Sequence, residues 1–258
     1  MSIPFDTHIK ALDKMKKYPK QLFYKGNTSL LDRPKISIVG SRRPSHYTKT
    51  YTYALAKQLA LRGVCIVSGA AMGVDAIAHE GAGKENTIAV MANGLDICYP
   101  VMNRNLIASI EKHGLVLSQF QDGFRATSWS FVVRNELVVA LGDILIVTEA
   151  DLDSGSMRSV AYALAMGKEI YVLAQHLNES LGTNHLLKEG KAIPIVDIEA
   201  FVSRFGNCVR SEIEKDDFFY FCQTFPTLDD AVEKFGDRVY ASELEGTITI
   251  HQGIVRLN

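Results

Sequence analysis

Two adjacent arginines follow an apolar strand and a glycine, and this arrangement has the chemistry of a phosphate site. The segment reads KISIVGSRRP over residues 35–44, with Gly40 and Ser41 directly before Arg42 and Arg43. A glycine at the end of such a strand lets backbone approach a ligand, and a following helix offers unpaired N–H groups to an anion. Forked guanidinium groups suit phosphate oxygens. The alternative is an ordinary strand-to-helix turn whose arginines face solvent.

Glycines and small polar residues also follow other predicted strands, where they extend this chemistry. They are Ser68 and Gly69, Asn93 to Asp96, Ser154, Gly155 and Ser156, and Gly182 with Thr183. Because the carboxyl ends of parallel strands meet at one edge of a sheet, their N–H and O–H donors would converge on a common pocket. A single such dipeptide is more often a plain turn, so the prediction depends on the repetition.

A third group of residues has the chemistry needed to hold a base. Phe131, Arg134 and Asn135 share one face of a predicted helix. An aromatic ring, a guanidinium and an amide on one face can stack a base and hold its phosphate and edge. In the alternative interpretation Phe131 belongs to the core and Arg134 pairs with Asp143 or Glu136.

The sequence predicts neither a metal, nor a cofactor, nor a catalytic residue. The four cysteines and seven histidines show no metal-ligand spacing, no GxGxxG follows the first strand, and no P-loop occurs. His79 has no nucleophile and base arranged around it, which favours a structural role. Ser154 and Ser156 lack the GxSxG elbow of a hydrolase.

Composition is that of an ordinary globular protein, with 47% hydrophobic and 22% charged residues among 258. No apolar run reaches the ~18 residues that a membrane span needs. The first 20 residues lack the apolar segment of a signal peptide. We therefore expect a cytoplasmic protein with no membrane partner and with reduced cysteines.

Charge is distributed unevenly, although the net charge is only −1. Residues 10–62 contain thirteen Lys or Arg and two acids, whereas residues 211–258 contain ten acids and four bases. Such asymmetry is typical of a protein with one face for an anionic partner. The lysines at positions 10, 14, 16, 17 and 20 could instead only solvate an N-terminal helix.

Alternating apolar runs and helical patterns predict βαβ units. Strands are expected at Lys35–Val39, Val64–Ser68, Thr87–Met91, Leu115–Ser118, Ile144–Glu149, Glu169–Leu173 and Ile193–Val196. Helices are expected around Tyr51 to Leu59 and over Asp75–Ala82, Val101–Lys112, Phe131–Leu141 and Met157–Met166. The fold class is thus α/β, an extended Rossmann-like, doubly wound, mostly parallel sheet.

Three domains follow from these patterns. Residues 1–30 are interpreted as an N-terminal helical extension and residues 31–210 as the Rossmann-like domain. Residues 211–258 are predicted to form three helices and a short hairpin around Gln252-Gly253, which suggests a small winged-helix-like domain.

Six segments in consistent order resemble the DNA-processing protein A family, also called DprA or Smf. They are IVGSRRP at 38–44, SGAAMGVDAIAH at 68–79, NGLDICYP at 93–100, FVVRN at 131–135, EADLDSGS at 149–156 and GTNHLLKEG at 182–190. The resemblance implies a homodimer that binds single-stranded DNA. Such a protein protects incoming DNA and loads the RecA recombinase onto it, in natural transformation of competent cells and in homologous recombination. The resemblance implies no catalytic turnover.

The resemblance also implies roles for individual residues. Arg43 is the first choice for the phosphate-binding arginine, flanked by Gly40, Ser41, Arg42, Ser68 and Gly69. Phe131 would supply a stacking contact, and Asn135, Ser154, Gly155 and Gly182 would line the pocket. This chain departs from the usual family pattern at Met72, Gln119, Arg158 and Ala174-Gln175, which leaves individual contacts open.

Two other functions remain open at this point. A nucleotide or phosphoribosyl hydrolase on a related scaffold would use a PGGxGTxxE run, of which only Gly182 and Thr183 have a counterpart here. A winged helix could read duplex DNA, but the acidic balance of residues 211–258 disfavours contact with phosphates. We expect that region to bind protein or to stabilise a dimer instead.

Overall fold

The chain forms two compact units whose boundary falls between residues 208 and 209. The computed structural model describes residues 2–206, 216–244 and 246–257. The domain boundary predicted after residue 210 lies outside these described residues. Within them, no helix is both long and apolar enough to cross a membrane.

The first unit is built on a nine-stranded sheet. Its strands are β1 (Ile3–Pro4), β2 (Phe23–Gly26), β3 (Lys35–Val39), β4 (Cys65–Ser68), β5 (Thr87–Met91), β6 (Leu115–Ser118), β7 (Ile144–Val147), β8 (Ile170–Leu173) and β9 (Ile193–Ile195). Their order across the sheet is β1-β2-β6-β5-β4-β3-β7-β8-β9, and every pair from β6 to β9 is parallel. The bounds predicted for β3, β5 and β6 match these, those predicted for β4, β7, β8 and β9 differ by one or two residues at an end, and β1 and β2 were not predicted.

Helices cover both faces of the sheet. They are α1 (His46–Ala60), α2 (Val74–Ala82), α3 (Arg104–His113), α4 (Ser128–Leu141), α5 (Gly155–Ala165), α6 (Leu181–Lys188) and α7 (Ile198–Val202). Side chains of β3 alternate between two cores: Ile36 and Ile38 pack with residues of α1 and α2, whereas Val39 packs with residues of α4. A strand buried on both sides in this way is typical of a parallel sheet with two helical layers. The α/β, doubly wound fold predicted from the sequence is confirmed.

The direction of winding reverses at β3. The chain runs from β3 through β4 and β5 to β6 on one side, then returns to place β7, β8 and β9 on the other side. The carboxyl ends of β3 and β7 therefore diverge into helices on opposite faces. Open α/β sheets bind ligands in the crevice at such a switch point.

The first thirty residues do not form the helical extension that the sequence suggested. They contribute β1 and β2, which extend the sheet antiparallel to β6, and two short 3-10 helices at Lys10–Lys14 and Thr28–Asp32. Leu12, Leu22 and Leu30 are buried in the main core. An unpaired β6 edge would leave backbone N–H and C=O groups without partners. Pairing with β2 satisfies them, which outweighs the local helical pattern.

The second unit has three helices followed by a hairpin. They are α8 (Asp217–Cys222), α9 (Leu228–Phe235), α10 (Arg238–Leu244), β10 (Ile248–His251) and β11 (Ile254–Leu257). Phe218, Cys222, Ala231, Ile248 and Val255 lie in its own small core. The two strands pair antiparallel, and this element order matches the predicted winged-helix-like arrangement.

Candidate nucleic-acid interface

A cavity of about 400 Å³ lies at the switch point, beyond the ends of β3 and β7. Its floor is the turn after β3, and its wall is the start of α5 together with part of α4. Eight residues selected from the sequence line it: Gly40, Ser41, Arg42, Arg134, Asn135, Ser154, Gly155 and Ser156.

The turn after β3 is held by close backbone contacts. A Cβ at Gly40 would lie 2.7 Å from a methyl of Val74, so only glycine fits there. Gly73 has φ +77° and its missing Cβ would lie 2.6 Å from the carbonyl carbon of Arg42. The Val74 N–H donates to Ser41 O at 3.0 Å. Together these contacts fix the direction in which Arg42 leaves the backbone.

Helix α5 presents its amino terminus to the cavity. The Ser154 hydroxyl caps the helix by accepting from the Met157 N–H at 3.4 Å, and the Ser156 hydroxyl donates to Gly40 O at 2.9 Å. The N–H groups of Gly155 and Ser156 belong to the first turn, so they have no acceptor within the helix. Free N–H groups and the positive end of the helix dipole favour an anion at this wall.

Arg134 is the buried cation of the site, with 5% of its surface exposed. Its Nη1 donates to the carbonyls of Gly69 and Val90, and its Nε donates to Asn135 Oδ1 at 3.1 Å. The alternative partners considered from the sequence are engaged elsewhere, since Glu136 accepts from the Lys16 N–H and Asp143 from the Lys35 N–H. Arg134 is therefore fixed at the back of the cavity.

Asp75 shares this buried environment. Burial raises the pKa of its carboxyl, while the Arg134 guanidinium acts in the opposite direction. Burial likewise lowers the pKa of Arg134, and neighbouring Arg42 lowers it further. Gly69 separates the two groups: a Cβ there would overlap the Arg134 guanidinium and lie 2.7 Å from Asp75 Oδ2. The two arginines thus repel each other across the cavity, and an anion between them would relieve that repulsion.

An aromatic pocket adjoins the cavity. Arg42 and Arg134 line both, and Gly69 and Phe131 line the aromatic pocket. The Phe131 ring lies within 5.5 Å of the Arg42 guanidinium carbon and 5.8 Å of that of Arg134. The Tyr99 ring is 5.9 Å from Phe131, centre to centre. Cations within about 6 Å of a ring face are attracted to its π electrons, so the ring helps to hold Arg42 in place.

Three predicted site residues do not line either space. Arg43 is exposed beyond the turn. Ser68 is buried, and its hydroxyl donates to Ile38 O at 2.6 Å. Gly182 is buried in the first turn of α6, where its N–H donates to Ala150 O at 2.8 Å. A Cβ at Gly182 would lie 2.7 Å from that same carbonyl, which explains the glycine by packing.

The sequence selection missed several lining residues, among them Asp151, Ser159 and Tyr99. Asp151 and Ser159 line the cavity, and Tyr99 lines the aromatic pocket. Asp151 and Tyr99 stand at the strand ends already singled out, so their position was a usable signal. Ser159 lies one helical turn after Gly155 and is visible as a site residue only once α5 is placed.

His79 is structural, as the sequence suggested. Its Nε2 accepts from the Ala70 N–H at 3.3 Å, and its Nδ1 lies 2.5 Å from the Thr87 hydroxyl oxygen. Burial lowers the pKa of His79 to about 3, with a smaller contribution from Arg134. The neutral ring holds the β4–α2 turn behind Gly69. Among the described residues, no cluster of His, Cys, Asp and Glu could hold a metal ion.

An open doubly wound sheet with arginines and a helix amino terminus at its switch point defines a Rossmann-like protein with a crevice suited to anions. Comparison with known proteins narrows this class. The chain belongs to the DNA recombination-mediator protein A family, whose model matches residues 5–206.

Curated relatives agree with this assignment. Protein Smf of Escherichia coli K12 is 35% identical over 196 residues, 73% of this chain and 52% of that protein. DNA processing protein DprA of Streptococcus pneumoniae R6 is 36% identical over 176 residues, 67% of this chain and 62% of that protein. The chain thus spans between about half and three fifths of the length of these relatives.

Two solved structures share the fold. DNA processing protein A from Helicobacter pylori, described for its single-stranded DNA binding mode, superposes with a TM-score of 0.77 at 44% identity, covering 79% of this chain and 95% of that one. DprA from Streptococcus pneumoniae gives a TM-score of 0.74 at 32% identity, covering 80% of this chain and 75% of that one.

Proposed function

We propose that this protein binds single-stranded DNA at the switch-point cavity and the adjoining aromatic pocket. The observation that carries the proposal is the position of Arg42, which lines the cavity and also lies against the Phe131 ring. One side chain thereby joins a phosphate site to a stacking surface. A backbone site beside an aromatic ring is what binding of single strands without sequence preference requires.

Each residue of the interface has a distinct proposed role. Arg42 holds a phosphate together with the N–H groups of Gly155 and Ser156, while Ser41 and Ser154 shape the turn and the cap. Arg134 supplies buried positive charge, and Asn135 positions it. Arg43 would contact the strand outside the cavity, and Ser68 and Gly182 would support the site by packing only.

The finer function we propose is that of a recombination mediator without catalytic turnover. The family description and the single-stranded DNA binding mode described for the Helicobacter pylori protein support it. On this proposal the chain acts in the cytoplasm as a homodimer, protects incoming strands and loads RecA during natural transformation and homologous recombination.

A binding titration tests the DNA-binding proposal. Single-stranded, duplex and mononucleotide ligands are compared across a range of salt concentrations. We expect the single strand to bind most tightly, with a log–log salt slope of about −0.7 for each phosphate contacted. Equal affinity for duplex and single strand, or no salt dependence, would contradict the proposal.

The mediator role is tested with RecA itself. RecA ATPase activity is measured on single strands already covered by a single-strand-binding protein, with and without this protein. Loading predicts that the lag before ATPase activity shortens, and an unchanged lag would refute it. Incubation with AMP checks turnover, since released base would indicate the hydrolase alternative.

A further inference from the structure

Two tyrosines and a histidine form an exposed aromatic cluster outside the cavity. Tyr47 and Tyr51 lie one turn apart on α1, with ring centres 4.6 Å apart, and His176 follows β8 with its ring 6.4 Å from Tyr47. We name these three residues the tyrosine platform. Tyr47 is 36% and Tyr51 41% exposed, so part of each side chain remains open to solvent.

The platform is held in place by hydrogen bonds to the sheet. The Tyr47 hydroxyl donates to Ala174 O at 3.0 Å. The Gln175 amide donates to Thr48 Oγ1 at 3.0 Å and to Thr148 O at 2.8 Å, which ties α1 to the ends of β7 and β8. Rings fixed before binding lose little conformational entropy when a ligand arrives.

The platform continues the candidate interface along the same edge of the sheet. The aromatic pocket lies over the ends of β4 and β5, the cavity over β3 and β7, and the platform beside the end of β8. Adjacent strands are about 4.8 Å apart, so the four steps from β5 to β8 span roughly 19 Å. A strand of a few nucleotides can cover that distance.

The positive charge beside the platform suits a polyanion. Arg43 lies in the turn between the cavity and α1, and Lys49 lies on α1 itself; both are exposed. Neither forms an ion pair with any residue in the described part of the chain. The Tyr47 and Tyr51 rings are in contact with each other, inclined at 52° with their centres 4.6 Å apart, so a base would stack on the exposed part of this pair and not between the rings.

We propose that the tyrosine platform is a second base-stacking subsite, occupied by the same single strand after it leaves the cavity past Arg43. This inference rests on the proposed function. Stacking on the platform would be tolerant of sequence, because every base has a π face. The chain then holds a strand at two aromatic positions with the phosphate cavity between them.

The test compares a short and a long ligand on four forms of the full chain. A mononucleotide offers one phosphate and one base, enough for the cavity and the aromatic pocket, whereas an octanucleotide reaches both stacking subsites. The forms are the wild type, Tyr47→Ala/Tyr51→Ala, Tyr47→Phe/Tyr51→Phe and Tyr53→Ala. Tyr53 is the matched control, because it is 39% exposed on the same helix and stacks on no ring in the described residues.

We expect the double alanine variant to bind the octanucleotide about tenfold more weakly than the wild type and the mononucleotide equally well. The double phenylalanine variant keeps both rings and loses the Tyr47 hydroxyl bond to Ala174 O, so its octanucleotide affinity should lie much closer to the wild type than that of the double alanine variant, and Tyr53→Ala should match the wild type. If the double alanine variant bound the octanucleotide as tightly as the wild type, the proposal of a second stacking subsite would be wrong. It would also be wrong if the loss were accompanied by a change in molecular mass by sedimentation, because the tyrosines would then be a contact between copies.

Failure of the proposed function gives a different result. If the wild type binds neither ligand, single-stranded DNA binding itself is wrong and the platform has no strand to hold. If the wild type binds both ligands and the variants do not differ, the platform alone is wrong.

Discussion

The crevice of the first unit and the C-terminal unit each place an arginine against a phenylalanine ring, but among the residues that the structure describes only the C-terminal unit pairs that arginine with a carboxylate. In the crevice, Arg42 lies 5.5 Å from the Phe131 ring and has no carboxylate partner among the described residues. In the C-terminal unit, Arg238 lies 4.7 Å from the Phe218 ring and also pairs with Asp216 at 2.5 Å. A guanidinium on a ring becomes a site for an external anion only where no internal carboxylate neutralises it.

The sequence segments that contain these two arginines also differ in net charge. Residues 209–258 contain ten acids against five bases, whereas residues 10–62 contain two acids against thirteen bases. Arg238 of the C-terminal unit has a carboxylate partner, whereas Arg42 and Arg43 at the crevice form no ion pair with the described residues. The four predictions that follow test this contrast.

The largest expected effect is on Arg42. Arg42→Ala removes the charge shared by the cavity and the aromatic pocket, and a charge-assisted contact is worth about 1.5–3 kcal/mol. We expect affinity for a single strand to fall about 10- to 100-fold and the salt slope to decrease by about 0.7. Arg43→Ala should have a smaller effect because that side chain lies outside the cavity. A larger loss in Arg43→Ala would reverse this assignment.

Gly69→Ala should damage the crevice through packing. Its Cβ would overlap the Arg134 guanidinium, and such overpacking costs about 1–3 kcal/mol. The midpoint temperature of thermal unfolding and the affinity for an oligonucleotide should both decrease. Gly155→Ala is the control, because a Cβ there has no heavy atom within 4 Å. Equal unfolding midpoints for the two variants would contradict the packing argument.

The two units should also differ in their response to acid. His79 has a folded-state pKa of about 3 against an ordinary value of 6.5, so the unfolded chain takes up its proton first. Its contribution to stability is complete above pH 6.5 and is lost progressively as the pH falls toward 3. Asp75, whose pKa is raised, acts in the opposite direction.

In the C-terminal unit, hydrogen bonds from the Phe219 N–H and from Arg238 lower the pKa of Asp216. Its contribution is therefore retained until the pH falls below the ordinary value of 3.8. Denaturant unfolding at a series of pH values measures the difference. His79→Gln should flatten the pH dependence between 6.5 and 4, and an unchanged slope would mean that His79 does not carry it.

The smallest expected effect is that of Arg238→Ala on DNA binding. Because Asp216 already neutralises this arginine, affinity for single-stranded and duplex DNA should stay within about twofold of the wild type. A clear loss of duplex affinity would show that the C-terminal unit reads DNA, and it would remove the contrast between the two units.

The sequence predicted the central sheet well because its strands are continuous apolar runs ended by glycine or polar residues. It predicted most of the cavity for a related reason, since residues after parallel strands must meet at one edge. It ranked Arg43 ahead of Arg42, whereas Arg42 is the arginine that lines the cavity, because the directions of the two side chains depend on contacts of Gly73 and Val74 with the turn. Those contacts are long-range and leave no local pattern.

The N-terminal segment shows the opposite case. Its lysine spacing favours a helix locally, but the exposed edge of β6 favours a strand, and only the assembled sheet reveals that edge. Ser68 and Gly182 were selected as residues that could contact a phosphate, but in the structure both are buried and contribute to packing. A serine or glycine at a strand end has the same sequence signal in both roles.

Both edge strands of the nine-stranded sheet are very short and contain a proline. Pro4 lies in the two-residue β1, and Pro194 lies in the three-residue β9. Proline has no N–H to offer, and short margins give an incoming strand little to pair with. Copies of the first unit are thereby discouraged from pairing their sheets edge to edge.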